Sequence, residues 1–216
     1  MPRPLFLSLD GLDGSGKSTQ FRRLVEELRV AGIPTAEAVD PGGTELGVKL
    51  RELLLFGRSV AMGTRAEALL FMASRAELVE RVIRPALARG EVVVSDRYLL
   101  ANVVYQGYAG GLPPEELWAV GRFATDGVLP SLSLVFDVPL EVARDRRCGK
   151  ADRIEARGAE YHTAVRAGFL AEAAANPGGV RVIDATSDAE AVAAVVRAVV
   201  GEALREFGWP TGRYGR

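Results

Sequence analysis

Gly11-Leu-Asp-Gly-Ser-Gly16-Lys17-Ser18-Thr19 sets two glycines, a lysine and two hydroxyls at the G-x-x-x-x-G-K-[ST] spacing that cradles phosphates. Glycines let the backbone turn tightly and approach an anion with no Cβ in the way. Successive N–H groups then form a concave nest, and the helix that follows presents its positive N-terminus. Lysine adds a compact charge between phosphates where a planar guanidinium is too broad. The Ser18 hydroxyl suits the Mg2+ that accompanies a nucleoside triphosphate. Of the 27 basic residues only Lys17, Lys49 and Lys150 are lysines. The composition gives about 0.003 accidental matches per chain, so the motif predicts a triphosphate site.

Such a loop needs a strand before it and a helix after it. Leu5–Leu9 reads as a buried strand, and residues 18–31 as a helix with Phe21, Leu24, Val25 and Leu28 on one face. Further strands are expected at 34–39, 91–95, 132–138 and 180–184, with helices at 45–55, 65–88 and 189–207. Pro85 is expected to kink or shorten the second of these helices. Strands alternating with helices predict an α/β fold: a three-layer P-loop NTPase architecture with a five-stranded parallel sheet flanked by helices. Ligands collect beyond the carboxyl ends of such strands, which gathers the P-loop, Asp40, Asp96-Arg97 and the segment after Val138 at one rim.

At 216 residues and 48% apolar content the chain suits one domain, expected at 1–207, followed by a loosely held tail at 208–216. A net charge of −1 leaves no electrostatic footprint for nucleic acid. The lone cysteine, Cys148, excludes internal disulfides and fits a reducing cytoplasm. No apolar run suits a membrane span or a signal peptide, and the lone histidine, His162, cannot build a metal cluster and is expected on a helix surface. The expectation is a soluble, cytoplasmic protein with no nucleic-acid or membrane partner.

Asp40-Pro-Gly-Gly-Thr44, Leu70-Phe71-Met-Ala-Ser74-Arg75, Asp96-Arg97-Tyr98, Tyr105-Gln106-Gly107 and Asp152-Arg153-Ile154-Glu155 follow one another in an order and spacing that resembles the thymidylate kinase family. The resemblance runs from the first strand to about Asp184. It implies a nucleoside monophosphate kinase that phosphorylates dTMP to dTDP with ATP and Mg2+, and a homodimer packed through helices of the kind expected at 65–84. ATP would then sit on Gly11, Gly14, Ser15, Gly16, Lys17, Ser18 and Thr19, with Ser18 and Asp96 at the metal, Asp96 acting through water or holding Arg97.

Phe71 and Arg75 are four residues apart and share a helical face. The resemblance makes Phe71 the ring that stacks on thymine and Arg75 the donor at the base edge. Arg51 and Arg97 would grip the dTMP phosphate through charge-assisted forks. Asp13 would contact the sugar hydroxyl, Asn102 and Tyr105 would crowd the 2′ position, Gln106 would reach the base, and Asp40 would face the P-loop.

Phosphoryl transfer asks mainly for alignment and neutralised charge. One arrangement in the family puts a catalytic arginine in the P-loop just after the acidic residue, where this chain has Gly14. The cations are therefore expected from a lid at about 144–157, with Lys17 and Arg97 joined by Arg147, Lys150 and Arg153. Several positions depart from the family pattern: Val39 for arginine, Asp40 for glutamate, Ser74 for aspartate, Ala101 for a hydroxyl residue, Ser131 for aspartate and Cys148 for a lid arginine. These bear on rate and selectivity. Competing readings are a kinase for dUMP, which differs from dTMP by one weakly discriminated methyl group, and a regulatory nucleotide-binding homologue that has lost turnover. A GTPase lacks support, because no Asn-Lys-x-Asp segment is present.

Overall fold

Phe6–Gly11 forms β1, buried along its whole length, in a computed structural model that describes residues 2–57, 60–147 and 152–215. The other strands are β2 (Thr35–Val39), β3 (Val92–Asp96), β4 (Leu132–Asp137) and β5 (Val180–Asp184). They pair in the order β2-β3-β1-β4-β5, every pair parallel. The centre of a sheet covered on both faces has no solvent side, so Val92-Val-Val94 and Leu132-Ser-Leu-Val-Phe136 are buried without a polar alternation. The register sets Leu9 beside Asp96 and Gly11 beside Phe136, which brings the ends of β1, β3 and β4 to one rim.

Helix α1 (Lys17–Val30) buries Phe21, Leu24, Val25 and Leu28, the face read from the sequence. Helix α2 (Glu45–Arg51) is capped by the Thr44 hydroxyl, which accepts from Gly47 N–H at 2.9 Å, and runs on into a π-helical turn at Glu52–Phe56. Helix α3 (Thr64–Leu78) passes through a π-helical turn at Val79–Ile83 into α4 (Arg84–Ala88). Pro85 is the cause: it lacks an N–H and crowds the carbonyl four residues back, and a widened turn accommodates both without ending the helix. Helices α5 (Leu99–Asn102, continued by a π-helical turn at Val103–Tyr108) and α6 (Pro114–Ala124) were not anticipated from the sequence. Beyond β4 come α7 (Leu140–Arg146), α8 (Ala159–Ala175) and α9 (Ala189–Glu206).

Alternation along β1 divides the core. Leu5, Leu7 and Leu9 pack with α1, α8 and α9, while Phe6 faces Met72 and Leu78 of α3, Leu117 of α6 and Tyr98 just before α5. The tail differs from expectation. Trp209 and Tyr214 are buried, and Trp209 Nε1 donates to the Arg3 carbonyl at 3.1 Å, tying the tail to the start of the chain. Two large aromatic rings bury enough apolar surface to hold a short segment that has no regular structure.

Candidate active site

The P-loop turns through Gly11, Gly14 and Gly16, all at positive φ (135°, 87° and 90°), before α1 begins at Lys17. A Cβ on Gly14 would lie 2.0 Å from the Ala143 carbonyl oxygen and 3.1 Å from Arg147 Cγ. Helix α7 therefore presses directly on the loop, which explains glycine at a position where an arginine side chain has no room. Lys17 Nζ donates to the Leu12 carbonyl at 3.1 Å and stands 3.7 Å from Asp13 Oδ1. Burial lowers the Lys17 pKa, with Arg97 adding to the effect against the pull of Asp13 and Asp96. Ser18 Oγ donates to Asp96 Oδ2 at 3.1 Å, which sets two hard oxygen ligands side by side at the mouth of the loop.

Above the loop is a cavity of about 570 Å3 lined by residues 13–20 together with Arg146, Arg147 and the segment from Ala185 to Val192. Arg147 thus stands at the P-loop, as expected of a lid cation. Lys150 lies outside the described residues, as does Cys148. Arg146 is among the arginines available in the lid stretch, but its place here was missed by the sequence reading. Its guanidinium donates to the carbonyls of Ala185 (2.6 Å) and Thr186 (2.8 Å), closing the far end of the cavity. Gln20, also missed, donates to the Ala189 carbonyl at 2.8 Å. No local pattern reveals these residues, because their partners are carbonyls of a loop some 40 or more positions away.

Beside this cavity opens a second, narrower pocket, and Asp13 lines both. Arg97 directly follows β3 with φ 66°, a left-handed conformation uncommon outside glycine. Its N–H donates to the Leu9 carbonyl at 2.9 Å and its carbonyl accepts from Ser95 Oγ at 2.6 Å, which hold the bend. The bend aims the guanidinium across the sheet. There it donates to the Gly11 carbonyl at 2.9 Å, to Asp13 Oδ1 and to the Tyr105 hydroxyl at 3.4 Å. Burial works against ionisation of Asp13, but Arg97 and Lys17 outweigh it and hold the carboxyl well below the usual range. Burial pushes the Tyr105 phenol up, so it stays a neutral donor. Arg97 is paired with Asp13; among the interactions described, Asp96 instead takes the Ser18 hydroxyl.

The opposite wall belongs to α3 and α5. Phe71 and Arg75, which share a face by their spacing, both line the pocket. Arg75 is only 2% exposed, and its Nε donates to Asp40 Oδ2 at 2.5 Å while Nη1 donates to Asn102 Oδ1 at 3.0 Å. Asp40 therefore faces Arg75, which corrects the expectation that it faces the P-loop. Arg51 reaches the pocket and donates to the Pro41 carbonyl at 2.9 Å. Gln106 lines the pocket too, but its amide is engaged: Oε1 accepts from Asn102 Nδ2 at 2.7 Å and Nε2 donates to Glu67 Oε1 at 2.8 Å.

Arg153 does not stand at the P-loop. Its Nε donates to the Leu54 carbonyl at 2.8 Å and its Nη2 to Glu67 Oε2 at 2.7 Å, placing it on the far side of the second pocket. Asp152 and Ile154 from the same turn line that pocket. Glu67 was missed, although its spacing carried a signal: Glu67, Phe71 and Arg75 follow at i, i+4 and i+8 on one face of α3. His162 is buried, with Nε2 3.2 Å from the Glu155 carbonyl, and is not the surface residue expected.

A parallel sheet in this strand order, a lysine-bearing phosphate loop over its central strand and a second polar pocket sharing a wall with that loop define a P-loop phosphotransferase with two adjacent substrate sites. A family model described as thymidylate kinase matches residues 9–196. A thymidylate kinase of Rhodopirellula baltica is 47% identical over 193 residues, 89% of this chain and 78% of the relative. One of Symbiobacterium thermophilum is 45% identical over 201 residues, 93% of this chain and 94% of the relative. The crystal structure of thymidylate kinase from Ehrlichia chaffeensis aligns with a TM-score of 0.75 at 28% identity, covering 92% of this chain and 99% of that chain. The chain belongs to the thymidylate kinase family.

Proposed function

We propose that this enzyme phosphorylates dTMP to dTDP with ATP through the two pockets described. The observation that carries the reading is that Asp13 lines both cavities, so a monophosphate in one lies end to end with a triphosphate in the other. Lys17 and Arg147 attend the donor phosphates; Arg97 and Arg51 grip the acceptor phosphate; Phe71 and Arg75 hold the base; Asn102 and Tyr105 close on the 2′ position of the sugar. Gln106 supports Asn102. The roles of Lys150 and Arg153 as catalytic cations rest on the family resemblance, and the Glu67 contact of Arg153 favours a different task for it.

No step here requires a covalent enzyme intermediate. Alignment of acceptor oxygen, phosphorus and leaving oxygen, with cations over the developing charge, carries the reaction. The Ser18 hydroxyl and Asp96 carboxylate form a donor set that fits Mg2+. Ser18 and Asp96 would hold that ion, and when bound it would supply charge neutralisation for the transferring phosphoryl group. Residues 1–207 act as one kinase domain with 144–157 as its lid, in the cytoplasm.

We also propose a homodimer formed through α3 and α6. Leu69 is 52% and Phe123 88% exposed there, an apolar surface costly to leave in water. Sedimentation of the wild type against Phe123→Lys tests it.

The reaction itself is tested by ADP production with ATP and Mg2+ on dTMP, dUMP, dGMP and dCMP, with Lys17→Ala as control. Turnover that prefers dTMP and disappears in the variant is expected. Intact ATP and dTMP binding with no turnover would overturn the reading in favour of a regulatory homologue.

A further inference from the structure

Glu67 is the one carboxylate on which the base wall and the lid stem converge among the interactions described. It is fully buried on α3, and among the described residues its partners are all side chains. Its Oε1 accepts from Gln106 Nε2 at 2.8 Å and Arg157 Nη2 at 3.0 Å. Its Oε2 accepts from Arg153 Nη2 and Arg157 Nη2, both at 2.7 Å. Gln106 continues to Asn102 at 2.7 Å, and Asn102 to Arg75 at 3.0 Å. One hydrogen-bonded chain thus runs from the base-side arginine through Glu67 to two arginines in the segment that closes the lid.

The lid end of this chain is itself part of the pocket. Arg153 N–H donates to the Leu55 carbonyl at 2.9 Å, docking the turn on the π-helical turn that follows α2, and Asp152 and Ile154 on either side of Arg153 line the monophosphate pocket. Arg157 also lies over the Tyr161 ring at 4.5 Å, and the Tyr161 hydroxyl donates to the Tyr105 carbonyl at 2.8 Å. Two guanidinium ions held on one buried carboxylate lose their only described anion if it is neutralised, and repel one another thereafter.

We propose that Glu67 is a positioning residue: it sets the lid stem against the base wall, so that the base pocket and the outgoing end of the lid are built as one unit. Glu67 touches no substrate and acts through Gln106, Arg153 and Arg157. The inference rests on the dTMP kinase reading.

The test compares wild type, Glu67→Gln, Arg157→Gln and the double variant, with KM and kcat measured separately for dTMP and ATP. Wild-type turnover of dTMP is the control, and its absence would sink the kinase reading and not this one. Glu67→Gln is expected to raise the KM for dTMP about ten- to hundredfold while the KM for ATP moves less than about threefold. Arg157→Gln is expected to shift the dTMP KM in the same direction by less, and the double variant to be no worse than Glu67→Gln, because both act through one contact. An unchanged dTMP KM, equal rises for both substrates, or additive effects would overturn the proposal. If Glu67→Gln does not fold, Arg157→Gln decides alone: its side chain is 27% exposed, and an unchanged dTMP KM there overturns the proposal as well.

Discussion

Asp40 Oδ2 and Arg75 Nε meet at 2.5 Å with both side chains closed off from solvent. A shorter aspartate stands where the family resemblance leads one to expect glutamate, and it is joined to Arg75 directly. Replacing Asp40 by Asn leaves a buried guanidinium without its anion, which is expected to cost about 3–5 kcal/mol of stability. Denaturant unfolding measures it. A midpoint that stays put would show that Asn102 and the Tyr98 carbonyl, which accepts from Arg75 Nη2 at 3.4 Å, suffice to hold Arg75.

Arg97 makes three separate donations from one planar group, to Gly11, Asp13 and Tyr105. Lysine keeps the charge and loses the fork. Arg97→Lys is expected to lower kcat/KM for dTMP about 100-fold, with a smaller effect on the KM for ATP. Steady-state kinetics with each substrate varied in turn decide it; near-normal kcat/KM would mean that charge alone is needed.

Gly14 combines φ 87° with an Ala143 carbonyl oxygen 2.0 Å from where a Cβ would be. Gly14→Ala is expected to destabilise by about 1–3 kcal/mol and to raise the KM for ATP by displacing α7 from the loop. Gly14→Arg is expected to be no better, so a P-loop arginine cannot simply be restored in this chain. Thermal unfolding together with ATP titration tests both.

Lys17 has a pKa lowered by burial. A lysine is charged below its pKa and neutral above it, so activity that needs the ammonium is lost as pH rises. The profile of kcat/KM for ATP, which reports the free enzyme, is therefore expected to fall on an alkaline limb below the ordinary lysine range. A profile flat through that range would show that Lys17 keeps its proton in the free enzyme.

Trp209 is only 7% exposed, donates to the Arg3 carbonyl and lines neither of the two pockets. Trp209→Ala is expected to lose about 3–5 kcal/mol of stability with kcat retained at a temperature where the variant is folded. Loss of turnover without loss of stability would give the tail a role in catalysis instead.

The phosphate loop, the sheet and much of the site were legible in the sequence because each is written locally. The P-loop is a nine-residue pattern, buried strands are short apolar runs, and Phe71 and Arg75 share a face by helical spacing alone. The tail misled because polar and glycine-rich stretches resemble loose ends, while burial of Trp209 and Tyr214 depends on the surface they meet. Partner choice among charges was likewise settled only by folding. Nothing local distinguishes Arg147 at the P-loop from Arg153 on Glu67, or tells Asp40 to face Arg75. A buried charge takes whichever opposite charge the packed chain brings within reach, and here the pairs lie from about 35 to more than 80 residues apart. Sequence determined which groups this enzyme has and which strands and helices carry them; the tertiary structure decided which of them line the two pockets and which face one another.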